Sequence, residues 1–191
     1  MNVLLGESIK LKEKQYKGLK IMNCAIYEFP FGLLKIGYKR DSLVLLKKID
    51  GTSDCGKKTE FTDLVYEEVM EYLDGKRKTF DIKYEINGTE FQKKVCKELT
   101  KIPYGETRTY KEIAVAVGNP KASRAVGMAN NKNPISIVVP CHRVIGSDGK
   151  LTGYAGGLDM KKTLLDLELR NSTEKQYSET IKRTSKGHSK S

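Results

Sequence analysis

The chain has 191 residues, and its 35 Lys and Arg against 24 Asp and Glu give a formal net charge of +11. This length suits one domain or two small ones, and no apolar run approaches the roughly 20 residues of a membrane-spanning helix, so we expect no membrane role. The charge is concentrated in residues 89–170, where 14 basic residues face 8 acidic ones, and a basic segment of this kind favours a nucleic-acid partner.

Residues 1–86 are predicted to form a supporting α/β domain at the N-terminus. Three short apolar segments separated by turn residues predict an antiparallel meander. These segments are 24–29, 33–39 and 43–49. Apolar residues recur at helical spacing between 61 and 73 and predict a helix that covers the sheet. Residues 80–86 alternate between apolar and polar, as in a further strand or an extended linker, and residues 1–20 suit either a first strand or an arm.

A second domain is predicted for residues 87–170, beginning at Asn87-Gly88. Two capping boxes, Thr89 to Gln92 and Thr109 to Glu112, predict two helix starts. Asn119 and Pro120 predict the first residues of a third helix. The third helix is expected to turn small residues inward, namely Ala122, Ala125, Val126 and Ala129. Two short helices joined by a Gly-Asn turn indicate a helix-turn-helix, although an ordinary helical hairpin has the same pattern.

The run Ile135–Val139 predicts a buried strand that ends at Pro140, and it places Cys141 where the strand stops. Most free cysteines are buried fillers. A cysteine becomes a nucleophile only as the thiolate, which needs a nearby cation or base. His142 and Arg143 follow at once, and the chain has only two histidines. Cys141 is therefore the leading candidate nucleophile.

The C-terminal part of the chain predicts a turn, a loop and a last helix. Ser147-Asp148-Gly149-Lys150 is a hairpin signal that would form a wing. Apolar spacing predicts a helix over 158–170, with Glu168 on the same face as two leucines. The polar residues 171–191 are predicted to be a disordered tail.

Cysteine usage bears on the compartment and on metal binding. The four cysteines show no C-x-x-C spacing and the N-terminus shows no basic region followed by an apolar signal segment, so we expect a reducing, intracellular protein. Residues 1–88 contain no histidine. A four-ligand structural zinc site is therefore not expected there.

Several ordered motifs resemble the O6-alkylguanine-DNA alkyltransferases, also called methylated-DNA–protein-cysteine methyltransferases. The resemblance covers about Thr89 to Glu168. Its motifs are Pro140-Cys141-His142-Arg143-Val144, Gly105-Glu106-Thr107-Arg108-Thr109-Tyr110, Lys121-Ala122-Ser123-Arg124-Ala125-Val126-Gly127, Asn133-Pro134 and Tyr154-Ala155-Gly156-Gly157. It implies an α+β fold: a small N-terminal domain with an antiparallel sheet and helix, plus a C-terminal winged helix-turn-helix domain.

The resemblance also implies the activity. The family transfers the alkyl group of O6-alkylguanine in DNA, chiefly O6-methylguanine and also O4-methylthymine, irreversibly to its own cysteine. Cys141 is expected to attack the alkyl carbon, His142 to take the thiol proton directly or through a water, and Glu168 to hold His142 in one tautomer. Tyr110 is expected to give a proton to the leaving guanine and to help rotate the nucleotide out of the duplex.

Further residues are matched by the same resemblance. Arg124 is expected to fill the space that the flipped base leaves, in a helix-turn-helix that works through the minor groove. The other expected DNA contacts are Tyr110, Lys121, Ala125 and Gly127. The substrate pocket and its support are expected to comprise Asn133, Pro134, Val144, Ser147, Tyr154 and Ala155, with Asn130 in a variable pocket-lining place. The resemblance implies no cofactor, no metal and no obligate protein partner, and a monomer that acts on double-stranded DNA in the cytoplasm or, in a eukaryote, the nucleus.

Three other functions remain as alternatives. A lesion sensor related to the family would lack the nucleophile, and Cys141 argues against it. A cysteine hydrolase would need an oxyanion hole, and adjacent nucleophile and base suit acyl transfer poorly. A plain winged-helix regulator would not need Pro140-Cys141-His142-Arg143-Val144.

Overall fold

The computed structural model describes residues 23–51 and 55–187, with side chains as far as residue 173. The first three elements are an antiparallel meander, as predicted. They are β1 (Asn23–Phe29), β2 (Gly32–Lys39) and β3 (Ser42–Ile49), in the order β1-β2-β3. The prediction for residues 1–20 lies outside the described residues.

Helix α1 (Glu60–Leu73) covers the sheet, also as predicted. It begins at Thr59, whose side chain and that of Thr62 cap each other's backbone amides, so the first turn satisfies amides that have no partner within the helix. Val65, Val69 and Tyr72 are fully buried in the core beneath it. Tyr27 of β1 also connects the sheet to this helix: its hydroxyl lies within hydrogen-bonding distance of the side chains of Thr62 and Asp63 in α1.

Residues 80–86 do not form the further strand that was one of two predictions for them. They run extended, with a single bridge between Tyr84 and Leu43. Two backbone hydrogen bonds, from Leu43 N to Lys83 O and from Glu85 N to Leu43 O, hold them to β3. The segment behaves as the alternative prediction stated, an extended linker.

Cys24 and Cys55 form a disulfide with their Cα atoms 5.1 Å apart. This differs from the expectation of a chain with reduced thiols, because cysteines far apart in sequence meet where the loop after β3 returns to β1. Cys96 and Cys141 are free and buried.

Opening this disulfide is expected to lower the free energy of unfolding by about 3–4 kcal/mol, since the loop it closes spans a sequence separation of 31 residues. The measurement is urea unfolding of the oxidised chain against a Cys24→Ala/Cys55→Ala variant. Equal unfolding midpoints would show that the bridge does not constrain the unfolded chain.

Three helices follow: α2 (Glu90–Leu99), α3 (Tyr110–Ala116) and α4 (Ser123–Asn131). Both predicted capping boxes are present, at Thr89 with Gln92 and at Thr109 with Glu112. The predicted start of the third helix is wrong. Residues 119–122 form a turn closed by a hydrogen bond from Ala122 N to Asn119 O, and the helix begins three residues after Pro120 without a side-chain cap.

The segment 135–139 is buried as predicted, but it is not a strand. It is joined to β3 by backbone hydrogen bonds from Leu46 N to Pro134 O and from Ser136 N to Leu46 O, and by one from Ser136 Oγ to Leu46 O. Ile137 then adopts a φ of 73° and turns the chain. The amides of Val138 and Val139 bond back to Ser136 and Ile135, so a compact turn satisfies the backbone groups that a ladder would have used.

The turn predicted at Ser147-Asp148-Gly149-Lys150 is present, but residues 151–157 after it do not form a paired strand. Ser147–Lys150 is a tight turn, closed by a hydrogen bond from Gly146 N to Lys150 O. The strand before it, β5 (Val144–Ile145), pairs in parallel with β4 (Arg108–Thr109), so its hydrogen-bonding edge serves the segment before α3 and not a returning strand.

The last helix, α5 (Leu158–Gly187), extends well beyond the predicted residue 170. Residues 171–187 are helical where the sequence predicted a disordered tail, and residues 188–191 lie outside the described residues. The physical reason is that a helix already anchored by its first turns elongates without a new nucleation cost, and no proline interrupts this stretch. The fold is thus α+β, and the division between residues 86 and 87 stays a prediction.

Candidate active site

Cys141 begins a short 3-10 helix, Cys141–Arg143, directly after Pro140. The preceding turn is fixed by Asn133, whose side chain accepts a hydrogen bond from Ile135 N at 3.1 Å and donates one to Val139 O at 2.8 Å. Cys141 N then donates to Val139 O at 2.8 Å. Asn133 is therefore the residue that shapes the backbone leading to the thiol.

Cys141 is buried, with only 2% of the residue exposed. Burial raises its pKa, while a hydrogen bond from Asn133 and the positive charges of Lys47 and Lys161 act in the opposite direction without overcoming burial. The resting cysteine therefore keeps its proton. Arg143, which the sequence suggested as an activating cation, has its charge directed at Glu168 instead.

His142 and Glu168 meet in the interior although they are 26 residues apart in sequence. His142 Nε2 lies 2.6 Å from Glu168 Oε1, and both side chains are fully buried. Burial lowers the pKa of His142, against the pull of Glu168. A neutral imidazole that donates Nε2–H to the carboxylate leaves Nδ1 as the proton acceptor. Nδ1 has no hydrogen-bond partner among the described residues.

Glu168 is the centre of a network that the sequence did not reveal. Arg143 Nε lies 2.9 Å from Oε2, and its guanidinium also donates to Ile102 O at 2.7 Å. Gly105 N donates to Oε2 at 2.8 Å, from a backbone with a φ of 81° that favours glycine. Burial by itself would raise the pKa of Glu168, but the hydrogen bonds and charges of His142 and Arg143 outweigh it and lower this pKa to about 2.

Acidification is therefore expected to destabilise the protein through Glu168. Since its pKa in the folded chain lies below the ordinary 4.5, its contribution is complete above about pH 4.5 and is lost as the pH falls towards 2; it amounts to about 3 kcal/mol. Urea unfolding of wild type and of Glu168→Gln between pH 6 and pH 3 measures it. The same loss in both proteins would contradict the assignment.

Tyr110, the expected proton donor, stands at the start of α3 and is half-buried. Its hydroxyl donates to Thr152 O at 3.1 Å. The same carbonyl accepts from Lys161 Nζ at 2.9 Å, and Lys161 also donates to Val144 O at 2.6 Å. Lys161 is fully buried, and burial lowers its pKa to about 8. It is a site residue that was not singled out from the sequence, although it lies three residues before Leu164 and seven before Glu168, on the buried face of α5.

Apart from Tyr110, the expected DNA contacts lie on and just before α4. Arg124, Lys121 and Ala125 are exposed. The exposure of Ala125 corrects the prediction that it faces inward; the buried residues of this helix are Val126, Ala129 and Asn130. Gly127 lies against the ring of Tyr110: a Cβ there would be 3.8 Å from the nearest ring carbon. The helix and Tyr110 thus form one surface beside the cysteine.

The expected pocket residues divide into buried and exposed groups. Pro134, Val144 and Tyr154 are buried, whereas Ser147 and Ala155 lie exposed on loops. Asn130 is buried and donates to the carbonyl of Cys141 at 3.1 Å. Asn130 Oδ1 and the hydroxyl of Tyr154 are buried without a hydrogen-bond partner in the described part of the chain, so polar atoms are available next to the cysteine for a bound molecule.

Within residues 23–51 and 55–187, no group of three or more His, Cys, Asp or Glu side chains is placed to hold a metal ion. The helices of these same residues include none with the length and apolar character needed to cross a membrane.

Comparison with known proteins identifies the region that carries this site. Residues 90–170 match the family model described as the 6-O-methylguanine DNA methyltransferase DNA-binding domain. A methylated-DNA–protein-cysteine methyltransferase of Methanosarcina barkeri is 52% identical over 152 residues, which cover 76% of this chain and 96% of that protein. One from Mycolicibacterium paratuberculosis is 49% identical, covering 75% of this chain and 90% of that protein.

Solved structures agree with these matches. The Mycobacterium tuberculosis O6-methylguanine methyltransferase superposes with a TM-score of 0.72 at 40% identity, covering 78% of this chain and 93% of that one. A complex of the M. tuberculosis protein with DNA superposes with a TM-score of 0.71 at 42% identity, covering 78% and 94%.

Proposed function

Because the chain belongs to the methylated-DNA–protein-cysteine methyltransferase family, we propose that it repairs O6-alkylguanine in double-stranded DNA by taking the alkyl group onto Cys141. The observation that carries this proposal is the buried arrangement of Cys141, His142 and Glu168, with the His142 to Glu168 distance of 2.6 Å. O6-methylguanine is the principal substrate and O4-methylthymine a secondary one. The protein is a single-turnover methyltransferase.

The reaction begins with a neutral thiol, because burial raises the pKa of Cys141. His142 accepts the thiol proton at Nδ1 through a bridging water, and Glu168 stabilises the imidazolium that forms by accepting Nε2–H. The thiolate attacks the alkyl carbon, so a sulfur–carbon bond forms as the carbon–O6 bond breaks. The departing guanine anion takes a proton from the hydroxyl of Tyr110.

The nucleotide reaches the cysteine only when it is rotated out of the duplex. Arg124, exposed on α4, fills the vacated space, and Lys121, Ala125 and Gly127 bring the helix against the DNA. The short side chains of Ala125 and Gly127 favour close approach to the minor groove. Asn133 and Pro134 support the cysteine, and Val144, Ser147, Tyr154 and Ala155 surround the base.

The thioether product explains why each molecule acts once. A carbon–sulfur bond is not opened by thiol exchange as a disulfide is. The protein acts as a monomer, without a cofactor, in the compartment that holds the DNA: the cytoplasm, or the nucleus in a eukaryotic cell.

The test is a titration of a duplex containing O6-methylguanine with increasing protein. We expect one guanine restored per molecule of protein, with no further repair after the protein is consumed. Repair of several lesions per molecule would overturn the single-turnover mechanism, and tight lesion binding without repair would favour a sensor.

A further inference from the structure

One side chain of the predicted N-terminal domain contacts the hydrogen-bond network of His142 and Glu168. Tyr72 lies in the last turn of α1 and is fully buried. Its hydroxyl donates to Glu168 Oε1, across 96 residues of sequence, and lies 3.3 Å from His142 Nε2. A residue from outside the helix-turn-helix region therefore contacts both partners of the cysteine.

The hydrogen-bond pattern around Glu168 fixes which atom donates. An ionised carboxylate only accepts hydrogen bonds. Its oxygens receive the Nε2–H of His142, the Nε–H of Arg143, the backbone N–H of Gly105 and the hydroxyl of Tyr72. With its single proton committed to Glu168, the tyrosine oxygen faces His142 Nε2 with its lone pairs. Both neighbours of Nε2 are then acceptors, which favours the tautomer that carries hydrogen at Nε2.

Packing holds the ring of Tyr72 in place. It meets Tyr104 edge to face with centroids 5.8 Å apart and Phe80 at 5.2 Å. Burial, reinforced by the negative charge of Glu168, raises the pKa of Tyr72 well above its ordinary value. The hydroxyl therefore stays protonated and remains a donor.

We propose that Tyr72 is a positioning residue for alkyl transfer, which holds the Glu168 carboxylate and keeps His142 in the Nε2–H tautomer. The proposal rests on the proposed function. By sharing the charge of Glu168, the hydroxyl also weakens the attraction of this carboxylate for an imidazolium. The groups that surround His142 are Glu168 and Lys161 from α5, Tyr72 from α1, the residues on either side of the histidine in the chain, Cys141 and Arg143, and the ring of Tyr154, whose centroid lies 6.5 Å away.

The test compares full-length Tyr72→Phe with Tyr104→Phe. Each variant removes one tyrosine hydroxyl from the same aromatic cluster, but the hydroxyl of Tyr104 accepts from Asn171 and not from the histidine network. For Tyr72→Phe we expect single-turnover transfer to slow by about tenfold or more, as for loss of a hydrogen bond to a charged group. Tyr104→Phe should stay within about twofold of wild type.

Nuclear magnetic resonance of ¹⁵N-histidine-labelled protein separates positioning from simple structural support. The chain has only two histidines, so a His188→Ala background leaves the signals of His142 alone. We expect the pKa of His142 to rise in Tyr72→Phe and to stay unchanged in Tyr104→Phe. An unchanged His142 titration in Tyr72→Phe, or an undiminished transfer rate, would overturn the proposal.

A measurement on the protein with Tyr72 intact keeps the proposal testable if Tyr72→Phe does not fold. The ¹⁵N shifts of His142 report its tautomer directly, and hydrogen at Nδ1 would contradict the proposal. This reading needs no substrate. Failure of the wild-type chain to repair DNA would therefore count against the proposed function, whereas hydrogen at Nδ1 in a chain that does repair DNA would count against the role of Tyr72.

Discussion

Replacement of Glu168 by glutamine is expected to slow alkyl transfer by about 10³-fold or more, by analogy with loss of the carboxylate from a Ser-His-Asp triad. The amide presents an NH₂ donor to a cavity lined by donors, so either His142 or Arg143 loses its acceptor. If His142 changes to the Nδ1–H tautomer, Nδ1 already carries a hydrogen and cannot accept the proton of the thiol. Single-turnover kinetics on a methylated duplex measure the effect.

The same replacement is expected to lower the free energy of unfolding by about 3–5 kcal/mol, because it leaves the buried guanidinium of Arg143 without a counter-charge. Glu106→Gln is the matched control, since it breaks only the solvent-exposed pair with Arg108 and should change stability by less than about 1 kcal/mol. Kinetics are compared at a temperature where both variants are folded. A Glu168→Gln protein that transfers within tenfold of wild type would contradict the triad.

Replacement of Arg124 by alanine is expected to slow repair of duplex DNA by about 10- to 100-fold. Extrusion of the nucleotide costs a few kcal/mol of unstacking and unpairing free energy, and in this variant no side chain fills the space to offset it. A single-stranded oligonucleotide with the same lesion needs no extrusion and should react at nearly the wild-type rate. The side chain is exposed on α4, so stability should not change. The measurement is the ratio of single-turnover rates on the two substrates.

Lys121→Ala provides the matched control for Arg124. Lys121 is also exposed. If it contacts a phosphate, its loss would weaken the binding of both substrates to a similar extent and reduce the salt dependence of binding. An Arg124→Ala protein with equal losses on duplex and single strand would show that Arg124 is only another phosphate contact.

Local sequence signals predicted the local structure well. The meander, helix α1 and the capping boxes at Thr89 and Thr109 depend on residues close in sequence, and all are present. The strand predicted for 135–139 failed because a buried apolar run shows that a segment is inside without showing how its backbone bonds are satisfied. The turn at Ile137 is set by hydrogen bonds of Asn133 to residues two and six positions along the chain, and the apolar pattern of the run does not show them.

The site was predictable only in part, because contacts between residues distant in sequence leave no local pattern. Cys141 and His142 are adjacent, and the family resemblance adds Glu168. Tyr72 and Arg143 join this network through contacts that span 96 and 25 residues, and Lys161 through bonds to backbone carbonyls that carry no sequence signature. The Cys24–Cys55 pairing likewise depends on how the loop after β3 folds back.

The most direct test of the account is peptide-resolved mass spectrometry of the protein after reaction with a duplex containing O6-methylguanine. Cys96 is an internal control, because it is a free and equally buried thiol whose pKa burial raises to about 11. We expect one methyl group per molecule, located on Cys141, with none on Cys96 and none in a Cys141→Ala variant. Methylation elsewhere, or repaired DNA with Cys141 unmodified, would contradict it.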